Sequence, residues 1–460
     1  MLGVALAGCA TIDSLTEAVM PASTPQGTLG AVGGFLGGVA GDEPLAVLVA
    51  RNILSAGGNA TDAMTAGALA LTVSLPSRAS LGAGGACIAF SPKRAAGAGP
   101  EAIIFVAPAG TPAGADRPAA VPMMARGLYL LHVRHGKLPF ETLVGPAEQM
   151  ARGGITASRA FLRDLDIVAG PLAADPGAAS VFFPGGRKLA EGATMQQPDL
   201  AATLSQMRVA GVGDFYQGGL ARRLSEGAQA AGGGLTLADL RTALPQATAT
   251  LRLPLRGGDV AHFLPPPADG GLAAAVSFRA LQANQSADAQ AAGLGAATQW
   301  RRGGADAAAI LASTSQPAPA IGALPASTGM VTLDREGNAV VCAFTMNNLF
   351  GTGRIAERTG VLLAASPRAQ PAALLSAGMV VNPNLTAFRA AASGSGQEAA
   401  PMAAAWALAQ TLATGTVDGA PAPEPGRANL IACSRYLPGS TASCAWAVDP
   451  RSNGIAAGSN

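Results

Sequence analysis

The chain has 460 residues, of which 49% are hydrophobic and 13% charged, a length that fits one large core or several ordinary ones and so does not choose a fold. Its 30 basic and 28 acidic residues form no long like-charge run and leave a net charge of +2, so no electrostatic footprint for nucleic acid is present. No stretch reaches the roughly 18 uninterrupted apolar residues of a spanning helix, because glycines break 28–40 and Asp42 and Glu43 follow.

Taken in chain order, Leu6-Ala7-Gly8-Cys9 resembles the small-residue pattern before the lipidated cysteine of bacterial lipoproteins. The resemblance implies lipidation at Cys9, a signal and tether over 1–27, and a periplasmic body held to the membrane by that lipid alone; Met1 to Val4 depart from it in carrying no basic side chain. From Pro44 to Ala70, apolar positions at helical spacing flank Gly57-Gly58-Asn59 and predict a helical hairpin whose second helix starts through Thr61 or Asp62. Residues 81–90 run from a glycine-rich turn into an apolar strand, and 121–163 alternate helical patterns with turns. Three short helices are expected in 195–204, 214–224 and 232–240, a strand at 251–257 and a rigid Pro/Gly loop at 264–271.

The Ala, Gln, Ser and Pro-rich stretch 281–326 reads as a flexible linker suited to proteolysis. Residues 328–347 read as strand, turn, strand, with Asp334 to Asn338 as the turn and Gly337 available for positive φ. A further strand, a Gly/Ser-rich loop over Ser393 to Gly396 and a helix near 398–413 follow. Cys433 and Cys444 sit in apolar runs on either side of Pro438-Gly439-Ser440 and read as a disulfide across a hairpin. Cys87 and Cys342 have no His or Cys at ligand spacing, so no metal is implied.

The 328–347 hairpin carries the chemistry. A period of two puts Thr345 and Asn347 on one face of its second strand. A five-residue turn pairs Leu333 with Ala339 and sets Ser327 opposite Thr345; a four-residue turn brings Thr328 there instead. A hydroxyl at a new N-terminus needs no histidine, since its own α-amine, with an unperturbed pKa of about 7.7 to 8.0, takes the proton. That suits a chain whose three histidines, His132, His135 and His262, have no carboxylate at a catalytic spacing. Amides of Ser393 to Gly396 are candidates for an oxyanion hole or for a helix cap.

ARNILSAGGNATDAM (50–64), VRHGKLPFETLVGPAEQMARGGI (133–155), QQPDLAATL, FYQGGLA, LPPPADGG and DREGNAVVCAFTMNNLFGTG (334–353) resemble, in order, segments of the gamma-glutamyltranspeptidase family. The resemblance implies an α+β fold, a four-layer αββα sandwich of two antiparallel sheets between helix layers, as in N-terminal-nucleophile hydrolases. It also implies self-association of two autocleaved fragments, here 28–326 and 327–460, and action on a small-molecule gamma-glutamyl amide without any cofactor. Ser327 falls on the family's catalytic position, with Thr328 beside it, and Thr345 matches the threonine that supports the nucleophile. Asn347 matches a residue that contacts the glutamyl group, Ser376 a serine that contacts the substrate carboxylate, and Ser395 and Gly396 the oxyanion-hole glycines.

The departures bear on substrate. Ile104 stands where the family has a carboxylate-clamping arginine, and Ala369 where it has the aspartate that receives the substrate amine. Each lost charge-assisted contact costs about 1.5 to 3 kcal/mol, so unchanged glutathione recognition requires Arg78, Arg354 or Arg368 to substitute. The alternative is a non-catalytic, lipid-anchored relative that keeps the fold for binding or structure.

Overall fold

The structure, a computed structural model, describes residues 34–94, 99–111, 114–303, 305–313, 326–368, 371–417 and 421–459. Cys9, the expected 1–27 tether and Ala369 lie outside the described residues. The strands are β1 (Gly37–Gly41), β2 (Gly84–Phe90), β3 (Glu101–Phe105), β4 (Ile155–Thr156), β5 (Thr194–Met195), β6 (Gln246–Ala249), β7 (Leu251–Pro254), β8 (Val260–Phe263), β9 (Ser327–Asp334), β10 (Ala339–Thr345), β11 (Ile355–Ala356), β12 (Val361–Leu362), β13 (Ser376–Asn382), β14 (Ala387–Ser395), β15 (Arg427–Leu437), β16 (Cys444–Val448) and β17 (Ile455–Ser459). They build a seven-stranded sheet, β17-β1-β9-β10-β2-β3-β6, a six-stranded sheet, β16-β15-β14-β13-β8-β7, and two short ladders, β4-β5 and β11-β12. Neighbours in both large sheets run antiparallel.

Helices α1 (Pro44–Ser55), α2 (Ala60–Ser74), α3 (Met124–His135), α4 (Phe140–Gly153), α5 (Arg159–Ala173), α6 (Pro176–Phe182), α7 (Pro198–Ala210), α8 (Val212–Gln217), α9 (Gly219–Ala230) and α10 (Leu237–Thr242) form the layer on the seven-stranded sheet. Helices α11 (Gly270–Gln282), α12 (Ala289–Arg301), α13 (Ala307–Ala312) and α14 (Ala400–Thr414) cover the six-stranded sheet. The period of two sorts the strand side chains: Val340, Cys342 and Phe344 of β10 face the first helix layer, whereas Val341 and Ala343 face the second sheet. Between the sheets, Val331, Val341 and Ile104 share a core with Met379, Ala391 and Ile431. The result is the α+β, four-layer αββα sandwich.

Three local expectations change. The second helix of the α1-α2 hairpin starts at Asn59, whose side chain accepts from the Asp62 amide (2.9 Å) while Asp62 accepts from the Asn59 amide (3.0 Å). The expected helix at 214–224 is two helices, α8 and α9, meeting at Gly218. The linker reading of 281–326 fails over α12 and α13: Leu294, Ala296, Ala297 and Ile310 are buried, and Arg301 grips buried Asp269 at 2.5 and 3.0 Å. Small residues hid this helix pair, because Gly293 lets α12 approach α11 so closely that a β-carbon there would meet Ser277 Oγ at 2.3 Å. Residues 314–325 lie outside the described residues.

Candidate active site

The turn between β9 and β10 sets the register. Asp334 N donates to Asn338 O (3.0 Å), and the Asp334 carboxylate accepts from the amides of Glu336 (2.8 Å), Asn338 (3.1 Å) and Ala60 (3.0 Å) and from Asn338 Nδ2 (2.7 Å). Gly337 supplies the left-handed φ of 85° that this closure needs. The five-residue turn follows: Leu333 pairs with Ala339, Val331 with Val341, and Ser327 with Thr345, while Thr328 opposes Phe344.

Ser327 and Thr328 therefore have opposite fates. The Thr328 hydroxyl donates to Asp42 Oδ2 (3.0 Å), which also accepts from the Gly329 amide (3.1 Å). Asn429 of the other sheet donates to Asp42 Oδ1 (3.0 Å) and to Gly329 O (3.1 Å), so Asp42 ties β1, β9 and β15 together just past the start of β9. Ser327 is 2% exposed, and its Oγ is buried with no hydrogen-bond partner. A buried hydroxyl left so costs about 1 to 3 kcal/mol, and such groups call for an explanation.

The neighbouring groups supply one. Thr345 Oγ1 donates to the carbonyl oxygen of Ala326 (2.8 Å), the residue before Ser327, and accepts from the Asn347 amide (3.0 Å). The carbonyl is thus polarised next to a free hydroxyl. Asn347 adopts a φ of 57° and donates through Nδ2 to Ala365 O (3.1 Å), leaving its Oδ1 buried without a partner. On the other side, Arg78 Nη1 reaches Ser327 O at 3.4 Å while Nε and Nη2 grip Asp164 at 2.7 Å each. Burial penalises the Arg78 charge, but the carboxylates of Asp164 and Asp42 outweigh it and hold the guanidinium above its ordinary range.

A model of the family described as Gamma-glutamyltranspeptidase matches residues 46–303. The chain belongs to the gamma-glutamyltranspeptidase family. It is 30% identical over 282 residues to glutathione hydrolase 2 of Arabidopsis thaliana, covering 58% of this chain and 48% of that protein. To the glutathione hydrolase proenzyme of Escherichia coli (strain K12) it is 25% identical over 386 residues, 71% of this chain and 65% of the relative. The chain thus spans about half to two thirds of these relatives. The solved structure of a cephalosporin acylase from Bacillus halodurans shares the fold, with a TM-score of 0.76 over 93% of this chain and 96% of that one at 20% identity.

Other candidate residues of this gamma-glutamyltranspeptidase relative sort as follows. The Ser376 hydroxyl turns to Leu374 O (2.9 Å), two residues back. Ser393 to Ser395 are not a loop but the end of β14, paired with Asn429, Ala428 and Arg427, and only Gly396, at a φ of 111°, leaves the strand. Ser395 shares its face of β14 with Ser393, whose Oγ lies against Gly329, where a β-carbon would meet it at 2.5 Å. Ile104 is buried among the apolar side chains between the sheets. Arg354 is taken by Asp116 (2.8 and 2.9 Å), and Arg368 is exposed, so of the three candidate guanidinium groups Arg78 is the one bonded to Ser327.

The histidines have structural partners. His132 bonds Leu138 O (2.7 Å), His135 bonds Glu101 (3.0 Å), and buried His262 bonds Thr250 (2.7 Å), with burial pushing its pKa down to about 3. Cys433 and Cys444 are joined (S–S 2.07 Å), as expected, and so are Cys87 and Cys342 (2.01 Å), for which the sequence implied no metal and suggested no pairing. Among the described residues, no group of three or more His, Cys, Asp or Glu is arranged to hold a metal. A cavity of about 720 Å³ in the helix layer beside Asn52, Glu141 and Arg208 contains none of these candidate residues.

Proposed function

We propose that the chain is a precursor that cuts its own backbone between Ala326 and Ser327 and then acts as an amidohydrolase or acyltransferase on gamma-glutamyl or related amides. In the first step Ser327 Oγ adds to the Ala326 carbonyl carbon. The C–N bond breaks, the nitrogen takes the hydroxyl proton, and water then cleaves the resulting ester to an Ala326 carboxylate and a Ser327 with free hydroxyl and amine. In each later turnover that amine takes the Oγ proton as Oγ attacks a substrate amide and passes it to the substrate nitrogen as the C–N bond breaks and the amine leaves; the acyl group rests on Ser327 as an ester until water or an acceptor amine removes it.

The observation that carries this reading is the pairing of an unpartnered, buried Ser327 hydroxyl with an Ala326 carbonyl already hydrogen-bonded by Thr345. The engaged hydroxyl of Thr328 supports Ser327 over its neighbour as the attacker. Relatives named glutathione hydrolase, one of them a proenzyme, support the substrate class and the precursor. The division into 28–326 and 327–460, and lipid attachment at Cys9 in the periplasm, belong to the same proposal.

A second reading, a binding protein without turnover, draws on buried apolar Ile104 and on Ser376 bonded to its own chain. Acyl trapping separates the two. Purified protein mixed with gamma-glutamyl and aliphatic acyl p-nitroanilides is expected to release nitroaniline in a burst matching the enzyme concentration, with an ester mapped to Ser327 by mass. Cut protein that gives neither burst nor adduct with any of them supports the binding protein and overturns the enzyme.

A further inference from the structure

Cys87 lies on β2 and Cys342 on β10, directly opposed across the antiparallel pair and joined. The bond Ala326–Ser327 falls between them in the chain. We propose that, once that bond is cut, the Cys87–Cys342 disulfide is a covalent staple between the two fragments of the mature molecule. This rests on the cleavage reading above, and it adds a property that the reading does not contain.

The topology makes the staple geometrically natural. The seven-stranded sheet is interleaved: β1, β2, β3 and β6 precede the cut, β9, β10 and β17 follow it, and β10 lies against β2 along its whole length. Each fragment thus completes the other's sheet, and the staple crosses the β10/β2 seam between them. The Cys433–Cys444 bond, by contrast, lies wholly within the second fragment, where it closes the β15-β16 hairpin and links nothing across the cut. Both Cys87 and Cys342 face the first helix layer and have no exposure, so a dithiol reaches them only when the protein opens. Closing the bond removes two protons and two electrons from the two thiols. An exchangeable disulfide of an oxidising compartment accepts them and leaves as two thiols.

The test uses the full chain made in an oxidising host compartment, denatured with an alkylating reagent and weighed first without and then with dithiothreitol. Without reductant, one species heavier than the uncut chain by one water is expected; with it, two fragments. Cys87→Ser is expected to fall into two fragments with no reductant. A tryptic digest of unreduced wild type, which needs no variant to fold, is expected to contain a Cys87–Cys342 linked peptide. Wild type that separates without reductant, or that takes the alkyl label on both cysteines before reduction, overturns the staple. A chain that stays single after reduction also overturns it, through the cleavage reading. The digest then distinguishes the two failures, since a linked peptide from an uncut chain leaves the bond standing and removes only the cut.

Discussion

Each end of the β9–β10 hairpin buries polar side chains, Asp334 and Asn338 at the turn and Ser327 and Asn347 at the open end, but the two ends treat their polar atoms differently. At the turn, Asp334 accepts bonds from Ala60 N, Glu336 N, Asn338 N and Asn338 Nδ2. At the open end, Ser327 Oγ and Asn347 Oδ1 are buried without partners, although Thr345, Ala326 and Ala365 stand around them. Burial alone therefore does not explain the difference. A structural site gains by pairing every group, as Asp334 does; an attacking oxygen has to keep a lone pair free for the carbon it will meet, and the fold bears the cost.

The comparison can be broken at either end. The largest expected effect is at Ser327: Ser327→Ala is expected to abolish cleavage and to lower turnover at least about 10⁴-fold, while Thr328→Ala still cuts. Loss of cutting in Thr328→Ala alone would reverse the assignment of the attacker. Next is Thr345→Val, which keeps the shape but removes the hydroxyl on Ala326 O; cleavage followed by gel is expected to slow roughly 10²- to 10³-fold, with recovery in Thr345→Ser. An unchanged cleavage rate would mean that the hydrogen bond to Ala326 does not polarise it. The smallest is at the turn. Asp334→Ala leaves several buried donors without an acceptor, and urea denaturation is expected to register a loss of about 2 kcal/mol with the cleavage site unchanged. A shifted cleavage site would show that the Asp334 carboxylate, and not only the Asp334 N to Asn338 O bond, is needed to hold the register.

Much of this hairpin was legible in the sequence because its determinants are local. The turn spans Asp334 to Asn338, a side chain that caps it and a glycine at positive φ lie within five residues, and period-two counting then carries Ser327 to Thr345. The pattern could not choose between four- and five-residue turns; the Asp334 N to Asn338 O bond does. What escaped depends on distant residues. Asp42 meets Thr328 and Asn429, Asp164 holds the Arg78 that reaches Ser327, and Cys87 meets Cys342 only because β2 lies beside β10. The helices α12 and α13 escaped for another reason. Apart from Leu294, the buried residues of α12 are Ala and Gly, which pack by close approach, and α13 buries only Ile310 and Leu311 in six residues, so neither gives much contrast with a low-complexity linker.

The most direct test of the central claim is the N-terminal residue of the smaller species from reduced, denatured protein. The account predicts a sequence beginning Ser327-Thr328-Gly329. A single unbroken chain, or a fragment that begins at Thr328, contradicts it.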